Sequence, residues 1–270
     1  MDHQPFIDEN RALWNEWTDV HVTGEFYDRD GFVRDPSDIR LRPEEVEEIG
    51  DVTGKSLLHL QCHFGLDTLS WARLGAQVTG ADFSERAVDE ARRLATDCGL
   101  DARFVLSDLY DLPDALEGQF DIVYTSVGAL PWIPDLGRWA DVVAHFLKPG
   151  GTFYVMEGHP TVWIFDGEQD HPVVTYPYFH RDEPITEKVE GSYADPSAVI
   201  ETEHEHGWAF GLGELVTLLI ERGLTIRSLR EYDFLVWPIE FLEEGDDGRW
   251  RMPGGSEAEI PLMFSILATR

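Results

Sequence analysis

The chain has 270 residues, of which 43% are hydrophobic and 12% aromatic, a composition that supports one large domain with a packed core and excludes global disorder. Its 52 acidic and 21 basic residues give a formal net charge of −31, so no nucleic acid is expected as a partner, because phosphates require a basic face. Apolar runs fall far short of the ~18 residues of a membrane span. Met1–Pro5 lacks the features of a signal peptide, and the two cysteines form no disulfide framework, so we expect a cytoplasmic protein with no membrane partner.

The acidic charge allows two interpretations. Only three basic residues are lysines (Lys55, Lys148 and Lys188). An acidic, lysine-poor surface stays hydrated at high salt, but an acidic proteome with a GC-rich genome would produce the same bias.

The two interpretations predict different responses to salt. If the charge reflects a high-salt habitat, self-repulsion should destabilise the fold at low ionic strength, and screening should restore its stability. The melting temperature should then climb steeply between dilute buffer and molar potassium chloride. A flat thermal-denaturation series would instead favour the compositional interpretation.

Residues 1–50 precede the regular part of the sequence. A short helix is expected over 42–49, with Pro43 in its first turn. Before it, aromatic and apolar residues recur at helical spacing: Leu13, Trp14, Trp17, Val20 and His21.

From residue 55 onward, short apolar runs alternate with amphipathic runs of helical length. Continuous apolar strands joined by helices indicate a parallel sheet buried on both faces. The predicted strands are Lys55–Leu60, Gln77–Ala81, Arg103–Leu106, Phe120–Ser126 and Thr152–Glu157; the predicted helices are Leu66–Leu74, Glu85–Asp97 and Leu136–Leu147, and Lys148–Gly151 is predicted to be a turn.

Residues 158–207 interrupt this alternation. They are rich in Pro, His, Tyr and acids, and we predict an insertion with some antiparallel strand. The alternation returns with a helix over Leu212–Arg222 and a strand over Leu224–Tyr232. After a Gly-rich loop (Gly245–Gly255), a last strand over Pro261–Thr269 is expected to complete an antiparallel hairpin.

The most informative motif joins the first strand to the first helix of the alternating region. The run Leu57-Leu58-His59-Leu60-Gln61-Cys62-His63-Phe64-Gly65 gives a strand and a tight turn, and Gly80-Ala81-Asp82-Phe83-Ser84 ends the next strand in a carboxylate. An open α/β sheet holds a nucleoside in this way, with backbone at the first turn and an acid on the ribose hydroxyls. Further motifs are Val105-Leu106-Ser107-Asp108-Leu109, Phe120-Asp121-Ile122-Val123-Tyr124 followed by Ser126, and Leu147-Lys148-Pro149-Gly150-Gly151.

Together these motifs resemble those of class I S-adenosylmethionine-dependent methyltransferases, closely over residues 55–158 and in outline over 210–270. The resemblance implies an α/β, Rossmann-like fold: a seven-stranded, mostly parallel sheet with helices on both faces and an antiparallel edge hairpin. It also implies a single domain over 1–270, with an N-terminal lid (1–50), a cofactor-binding core (55–158), a substrate-cap insertion (158–207) and the C-terminal part of the sheet (208–270).

The resemblance further implies that S-adenosylmethionine is the cofactor and S-adenosylhomocysteine its product. Family members usually carry an acid at the end of the first strand and then Gly-x-Gly-x-Gly, where this chain has His59, Gln61, His63 and Gly65. His59 cannot supply the negative charge, so Asp67 is expected to do so; the alternative for His59 is a core histidine. The complete set of predicted cofactor-binding residues is His59, Gln61, Cys62, His63, Gly65, Asp67, Asp82, Phe83, Ser107, Asp108, Leu109 and Ser126.

Two of these acids have alternative interpretations. Asp82 is expected on the ribose hydroxyls, but a carboxylate is also favourable at the helix N-terminus that follows it. Asp108 is expected on the adenine amino group, and the alternative is an ordinary loop aspartate.

The sequence indicates the catalytic and acceptor-binding residues less clearly than the cofactor-binding ones. If the acceptor must lose a proton, the candidates for the base are Glu157, His159, His204 and His206. No metal site is predicted, because two cysteines make no thiolate-rich site and the histidines are more simply pocket or surface residues. Aromatic and polar residues in lid, loop and insertion positions are the candidates for acceptor binding: Trp14, Tyr27, Phe32, Trp132, Trp163, Tyr178 and His180.

The sequence therefore predicts an enzyme, a methyltransferase that acts on a small-molecule acceptor as a monomer or homodimer. One alternative is a non-catalytic protein that binds S-adenosylmethionine or S-adenosylhomocysteine. The other is a nicotinamide-dependent oxidoreductase, which is disfavoured because the side chains of Gln61 and His63 would obstruct a pyrophosphate. The acceptor and the methylated atom are not encoded in any motif.

Overall fold

The computed structural model describes residues 1–254 and 259–270, so the end of the predicted loop Gly245–Gly255 lies outside the described residues. The helices run over Gln4–Thr23 (α1), Arg29–Arg34 (α2), Pro43–Ile49 (α3), Leu66–Arg73 (α4), Glu85–Cys98 (α5), Leu112–Ala115 (α6), Leu136–Phe146 (α7) and Leu212–Glu221 (α8), with a 3₁₀ turn over Leu130–Trp132.

The strands of the described chain form one large sheet and two small ones. The large sheet consists of Ser56–Leu60 (β1), Gln77–Asp82 (β2), Ala102–Leu106 (β3), Phe120–Thr125 (β4), Leu147–Gly158 (β5), Thr225–Tyr232 (β8) and Met263–Thr269 (β11). The small sheets pair Ile185–Lys188 (β6) with His204–Gly207 (β7), and Glu243–Glu244 (β9) with Trp250–Arg251 (β10).

The large sheet has the order β3-β2-β1-β4-β5-β11-β8. The first five of these strands are parallel, and β11 is antiparallel to both of its neighbours. The predicted fold class and edge hairpin are therefore confirmed. Because the five parallel strands end at one edge, the loops that follow them meet there, where open α/β sheets bind ligands.

The inner strands of the sheet are buried on both faces, which explains their continuous apolar sequences. On β1, Leu58 packs with Trp139 of α7 on one face, while Leu57 packs with Trp71 of α4 on the other. The amphipathic helix α5 covers the first strands, and Ser84 caps its N-terminus: the Ser84 hydroxyl accepts from the amide of Ala87 at 3.1 Å.

The predicted turn at Lys148–Gly151 is instead part of β5. This strand begins at Leu147, which pairs with Phe120, and the next paired residues are Thr152 and Ile122. The intervening Pro and Gly residues therefore form a wide bulge inside the strand rather than a connection before it.

The insertion contains antiparallel strand as predicted, in β6 and β7. Polar and apolar residues alternate in the run Val199–His204, but this run lies mostly before β7, which covers His204–Gly207. Among residues 1–254 and 259–270, no helix has the length and apolar character required to cross a bilayer.

Candidate active site

The loop after β1 keeps the backbone shape of a glycine-rich turn without most of its glycines. Gln61, His63 and Gly65 all have positive φ, at 56°, 52° and 86°. For side chains other than glycine this conformation costs about 1–2 kcal/mol each. Gly65 is required sterically, because a Cβ there would lie 2.9 Å from the Phe104 ring.

The amides of this loop are used within the protein. Cys62 N donates to the Ala81 carbonyl at 3.0 Å, Gly65 N donates to the Cys62 carbonyl at 3.0 Å, and His63 N donates to Oδ2 of Asp82 at 2.8 Å. A pyrophosphate would need such amides. Their use elsewhere argues against a dinucleotide site.

Asp82 lies at the end of β2, where the loops from β1 and β2 meet. Its Oδ2 accepts from His63 N, and its Oδ1 accepts from Ser84 N at 2.9 Å. Burial raises the pKa of Asp82 to about 6, against the lowering effect of these backbone donors. Each carboxylate oxygen keeps a second lone pair for a ligand hydroxyl.

Asp108 lies two residues beyond the end of β3, the strand next to β2. Its Oδ1 accepts from the amide of Tyr110 at 2.9 Å, and burial raises its pKa. With Tyr110, Arg138 and Ile7 it lines a cavity of about 350 Å³ beside the carboxyl ends of the strands. The neighbouring predicted residues are only partly buried: Phe83, Ser107 and Leu109.

His59 is a buried core histidine bonded to hydroxyl groups rather than to backbone. Its Nδ1 lies 2.8 Å from Thr68 Oγ1, and its Nε2 lies 3.0 Å from Ser126 Oγ. Burial lowers its pKa to about 3, so the ring is neutral. With both nitrogens engaged, His59 braces the ends of β1 and β4 and has no nitrogen left for a ligand.

Two side chains with hydrogen-bond acceptors that have no partner within the described residues lie beside the loop after β1. Gln61 Oε1 is buried with no hydrogen-bond partner, while its amide nitrogen donates to the Ala129 carbonyl at 3.2 Å. Asp67 makes no hydrogen bond to any residue in 1–254 or 259–270. Burial and then the nearby Glu45 raise its pKa to about 7, which Arg42 partly offsets. These unfilled acceptors fit the amino end of the expected cofactor.

A set of rings from four parts of the chain covers this loop, and we call it the aromatic cluster. Trp14 packs edge-on against Trp132 and against His63, with ring centroids 5.3 Å apart in both pairs. His21 lies 5.1 Å from His63 and 4.7 Å from Tyr193. The cluster comprises Trp14, Trp17, His21, Tyr27, His63, Trp132 and Tyr193.

Helix α1 and the second half of the insertion are bonded together above the cluster. The Asn10 side chain exchanges two hydrogen bonds with the His206 backbone, at 2.8 and 2.9 Å. Glu16 accepts from the amides of Glu201 and Thr202, and Trp17 Nε1 donates to the Gly191 carbonyl at 2.9 Å. On the core side, Ser84 donates to Asn15 at 2.7 Å.

The residues predicted as bases have other partners. Glu157 is fully buried and accepts from the amides of Gly128, Ala129, Leu130 and Gly158, at distances between 2.7 and 3.0 Å. Burial nevertheless raises its pKa to about 7. Its oxygens hold the loop after β4 and are not free to take a proton from an acceptor.

The three histidines on that list also lie outside the aromatic cluster. His159 Nε2 is 3.1 Å from Glu231, at the β8 side of the sheet. His206 Nε2 is 2.9 Å from Glu9 of α1, and His204 lies 3.7 Å from the same carboxylate. We assign these two to the contact between α1 and β7. No group of three or more His, Cys, Asp or Glu side chains within the described residues is placed to share a metal ion.

The predicted acceptor residues divide into two groups. Trp14, Tyr27 and Trp132 belong to the cluster, but Phe32 is a fully buried core residue with the Arg73 guanidinium stacked 3.6 Å from its ring. Trp163 instead stacks on Trp237 at 5.4 Å. Tyr178 and His180 lie by the start of α8, where they contact the backbone of Leu212 and Ala209.

The sequence pattern did not assign His21, Ser192 or Tyr193 to the site. His21 could have been assigned to the site from the sequence, because it lies on the same helical face as Trp14 and Trp17. Ser192 and Tyr193 lie in an irregular stretch of the insertion, and only the folded chain brings them to the loop after β1.

Comparison with known proteins agrees with this geometry. Residues 57–151 match the family profile described as a methyltransferase domain. This segment of the chain is similar to a methyltransferase domain. The sequence prediction of this family is thereby confirmed, and S-adenosylmethionine is the cofactor that belongs to it.

Curated relatives of the methyltransferase domain cover part of the chain. The ubiquinone biosynthesis O-methyltransferase of Xanthomonas euvesicatoria is 31% identical over 154 residues, which are 57% of this chain and 60% of the relative. That of Shewanella halifaxensis is 33% identical over 112 residues, 41% of this chain and 47% of the relative. The chain thus spans 60% or less of the length of these two relatives.

Solved structures share the fold over a longer range. An S-adenosylmethionine-dependent methyltransferase from Mesorhizobium loti has a TM-score of 0.58 at 21% identity and covers 84% of this chain and 96% of its own. One from Clostridium acetobutylicum has a TM-score of 0.56 at 14% identity, covering 95% and 98%. At such identities the likeness establishes the fold alone.

Proposed function

We propose that the protein transfers a methyl group from S-adenosylmethionine to a small-molecule acceptor. One observation carries the proposal: a cluster of aromatic rings closes directly over the strained loop after β1, next to the buried carboxylate of Asp82. A nucleoside held at the strand ends would have its reactive end under these rings. Large flat side chains with few charges suit a small organic acceptor.

Different residues at the strand ends bind different parts of the cofactor. Asp82 accepts from the ribose hydroxyls, Asp108 accepts from the adenine amino group, and Asp67 with Gln61 Oε1 accepts from the amino end. S-adenosylmethionine supplies a methyl group on a sulfonium centre whose leaving group is neutral. The chain itself mainly orients the acceptor and excludes water, which can account for much of the rate.

The lid of this site consists of two sequence-distant parts. Residues 1–35 supply Trp14, Trp17, His21 and Tyr27, and residues 189–207 supply Tyr193 and the bonds to α1. The core, residues 55–132, supplies the cofactor site. The names of the curated relatives support oxygen as the methylated atom.

The rival functions are separated by one experiment. Purified protein is incubated with methyl-labelled S-adenosylmethionine and a small-molecule extract of the source cells, and labelled products are identified by mass spectrometry. We expect label in a small molecule with the wild type and none with Asp82→Ala. Binding of S-adenosylhomocysteine without any labelled product would instead favour a non-catalytic binding protein. A change of nicotinamide fluorescence on mixing would favour the oxidoreductase.

A further inference from the structure

Two histidines and a serine form a chain of side-chain contacts inside the aromatic cluster. Ser192 Oγ lies 2.7 Å from His21 Nε2, and His21 Nδ1 lies 3.2 Å from His63 Nε2. Ser192 and His21 are buried, at 4% and 0% exposure, so water does not compete for these contacts. The three residues come from the insertion, α1 and the loop after β1.

The last member of this chain, His63, is anchored at the centre of the site. Its backbone amide donates to Asp82, the predicted ribose ligand, while its ring packs against Trp14, Tyr27 and Phe64. Its φ of 52° is a conformation that a glycine would adopt more easily. An uncommon side chain held at energetic cost in a site suggests a function for that side chain.

One ring nitrogen of His63 has no hydrogen-bond partner among the described residues. Nε2 faces His21, but Nδ1 makes no hydrogen bond to any residue that the structure describes, and the residue is only partly buried by area. Burial, and then the neighbouring His21, keep the pKa of His63 well below its usual value, and burial lowers that of His21 to about 3. Both rings are therefore neutral, so each carries a lone pair on one of its nitrogens.

The contacts allow a tautomer that leaves a lone pair on the free nitrogen of His63. The Ser192 hydroxyl accepts from the amide of Ala194 at 3.2 Å and can accept a second proton from His21 Nε2. His21 Nδ1 is then the acceptor for a proton on His63 Nε2, which leaves the lone pair on His63 Nδ1. A base oriented by a second side chain, itself oriented by a third, is a recurrent catalytic arrangement.

We propose that His63 is the general base of the methyl transfer, with His21 and Ser192 as its positioning residues, and that the acceptor is a phenol or enol. The proposal rests on the proposed function and specifies the chemistry of its acceptor. We choose a phenol or enol because the site disfavours the protonated form of the His63 imidazole. Such a weak base removes a proton only from a fairly acidic hydroxyl group. The flat surfaces of the partly exposed Trp14 and Trp132 suit such a ring.

Methyl transfer to the acceptor oxygen requires no further reactant. An oxygen lone pair of the acceptor forms the new bond to the methyl carbon as the carbon–sulfur bond breaks, and the electrons of that bond leave with the sulfur. The acceptor's O–H bond gives its electrons to oxygen and its proton to His63 Nδ1. The resulting imidazolium donates Nε2–H to His21, is stabilised along the chain to Ser192, and later releases its proton to water.

The sharpest test replaces His63 by the residue that its backbone favours. His63→Gly relieves the strained φ, so the variant should fold and bind S-adenosylhomocysteine within about tenfold of the wild type. Methyl transfer to phenol and catechol probes should fall by about 10²–10⁴-fold, the usual contribution of a general base. Added imidazole should restore part of the rate through the space left by the ring, an effect that a purely structural role would not produce. His171→Gln, an exposed histidine outside the site, is the matched control.

A second measurement needs no acceptor. Long-range proton–nitrogen NMR on histidine-labelled protein with S-adenosylhomocysteine at pH 7 should show His63 protonated at Nε2 only, its signals identified by their absence in His63→Gly. A proton on Nδ1, an imidazolium, or a His63→Gly rate within threefold of the wild type would overturn the proposal. So would a wild type that methylates amine or thiol probes but no phenol, which would leave the methyltransferase assignment intact. A wild type that binds no S-adenosylhomocysteine would overturn both.

Discussion

Asp82→Ala should weaken the binding of S-adenosylhomocysteine by about two to four orders of magnitude. The variant loses two bonds to the ribose, and a hydrogen bond to a charged group contributes roughly 1.5–3 kcal/mol. It also removes the acceptor that fixes His63 N and Ser84 N, so the loop after β1 loses its anchor. Titration calorimetry on the folded variant measures the effect.

Two controls separate the ribose contact from the loop anchor. Asp82→Asn keeps one acceptor oxygen and the side-chain shape, so its affinity should lie between those of the wild type and Asp82→Ala. Asp89→Ala removes an exposed acid from α5 and should leave affinity unchanged. If Asp82→Ala is folded by circular dichroism and binds normally, the ribose assignment is wrong.

Glu157→Leu should destabilise the fold by at least about 4 kcal/mol. Four backbone amides that now donate to the carboxylate would be left buried without an acceptor, each at a cost of about 1–3 kcal/mol. Since domains are commonly stable by only about 5–15 kcal/mol, this is a large fraction of the free energy of unfolding. Urea denaturation followed by tryptophan fluorescence measures the loss.

Glu157→Gln is the informative comparison, because it keeps one acceptor oxygen and the volume. The folded pKa of Glu157, about 7, lies above its unfolded value of about 4.3, so its contribution to stability is full at low pH and is lost as pH rises through about 7. The stability advantage of the wild type over Glu157→Gln should therefore shrink between pH 5 and pH 8. An advantage that grows over this range would mean that the four backbone donors lower the pKa of Glu157 more than burial raises it.

The core of the fold was predictable because buried parallel strands have a recognisable local sequence pattern. Leu57–Leu60 is apolar at almost every position, since adjacent residues pack on opposite faces of a doubly covered sheet. The placement of Asp82 and Asp108 was predictable for a related reason: each lies at or just after the end of a strand, and those strand ends meet at one edge. Their role as ligand residues stays a prediction. The bulge at Lys148–Gly151 was not, because Pro and Gly favour turns and bulges alike.

The chemistry of the site was harder to predict, because a residue's type does not say which partners it has in the fold. Glu157 and His206 have suitable groups for proton transfer, but the amides after β4 and the carboxylate of Glu9 already engage them. Conversely, Gln61 and His63 looked like losses from a glycine motif, although their backbones keep the left-handed shape of one. Backbone conformation is a property of the fold that composition alone does not reveal.

The bonds between Asn10 and His206 join residues 196 positions apart in the chain. During synthesis the apolar face of α1 therefore emerges long before the segment that covers it, and contacts of such long range form late in folding. The sheet can assemble around β1–β5 while the proposed lid is still incomplete. We infer that the site closes last, so that a nascent chain acquires its fold before its activity.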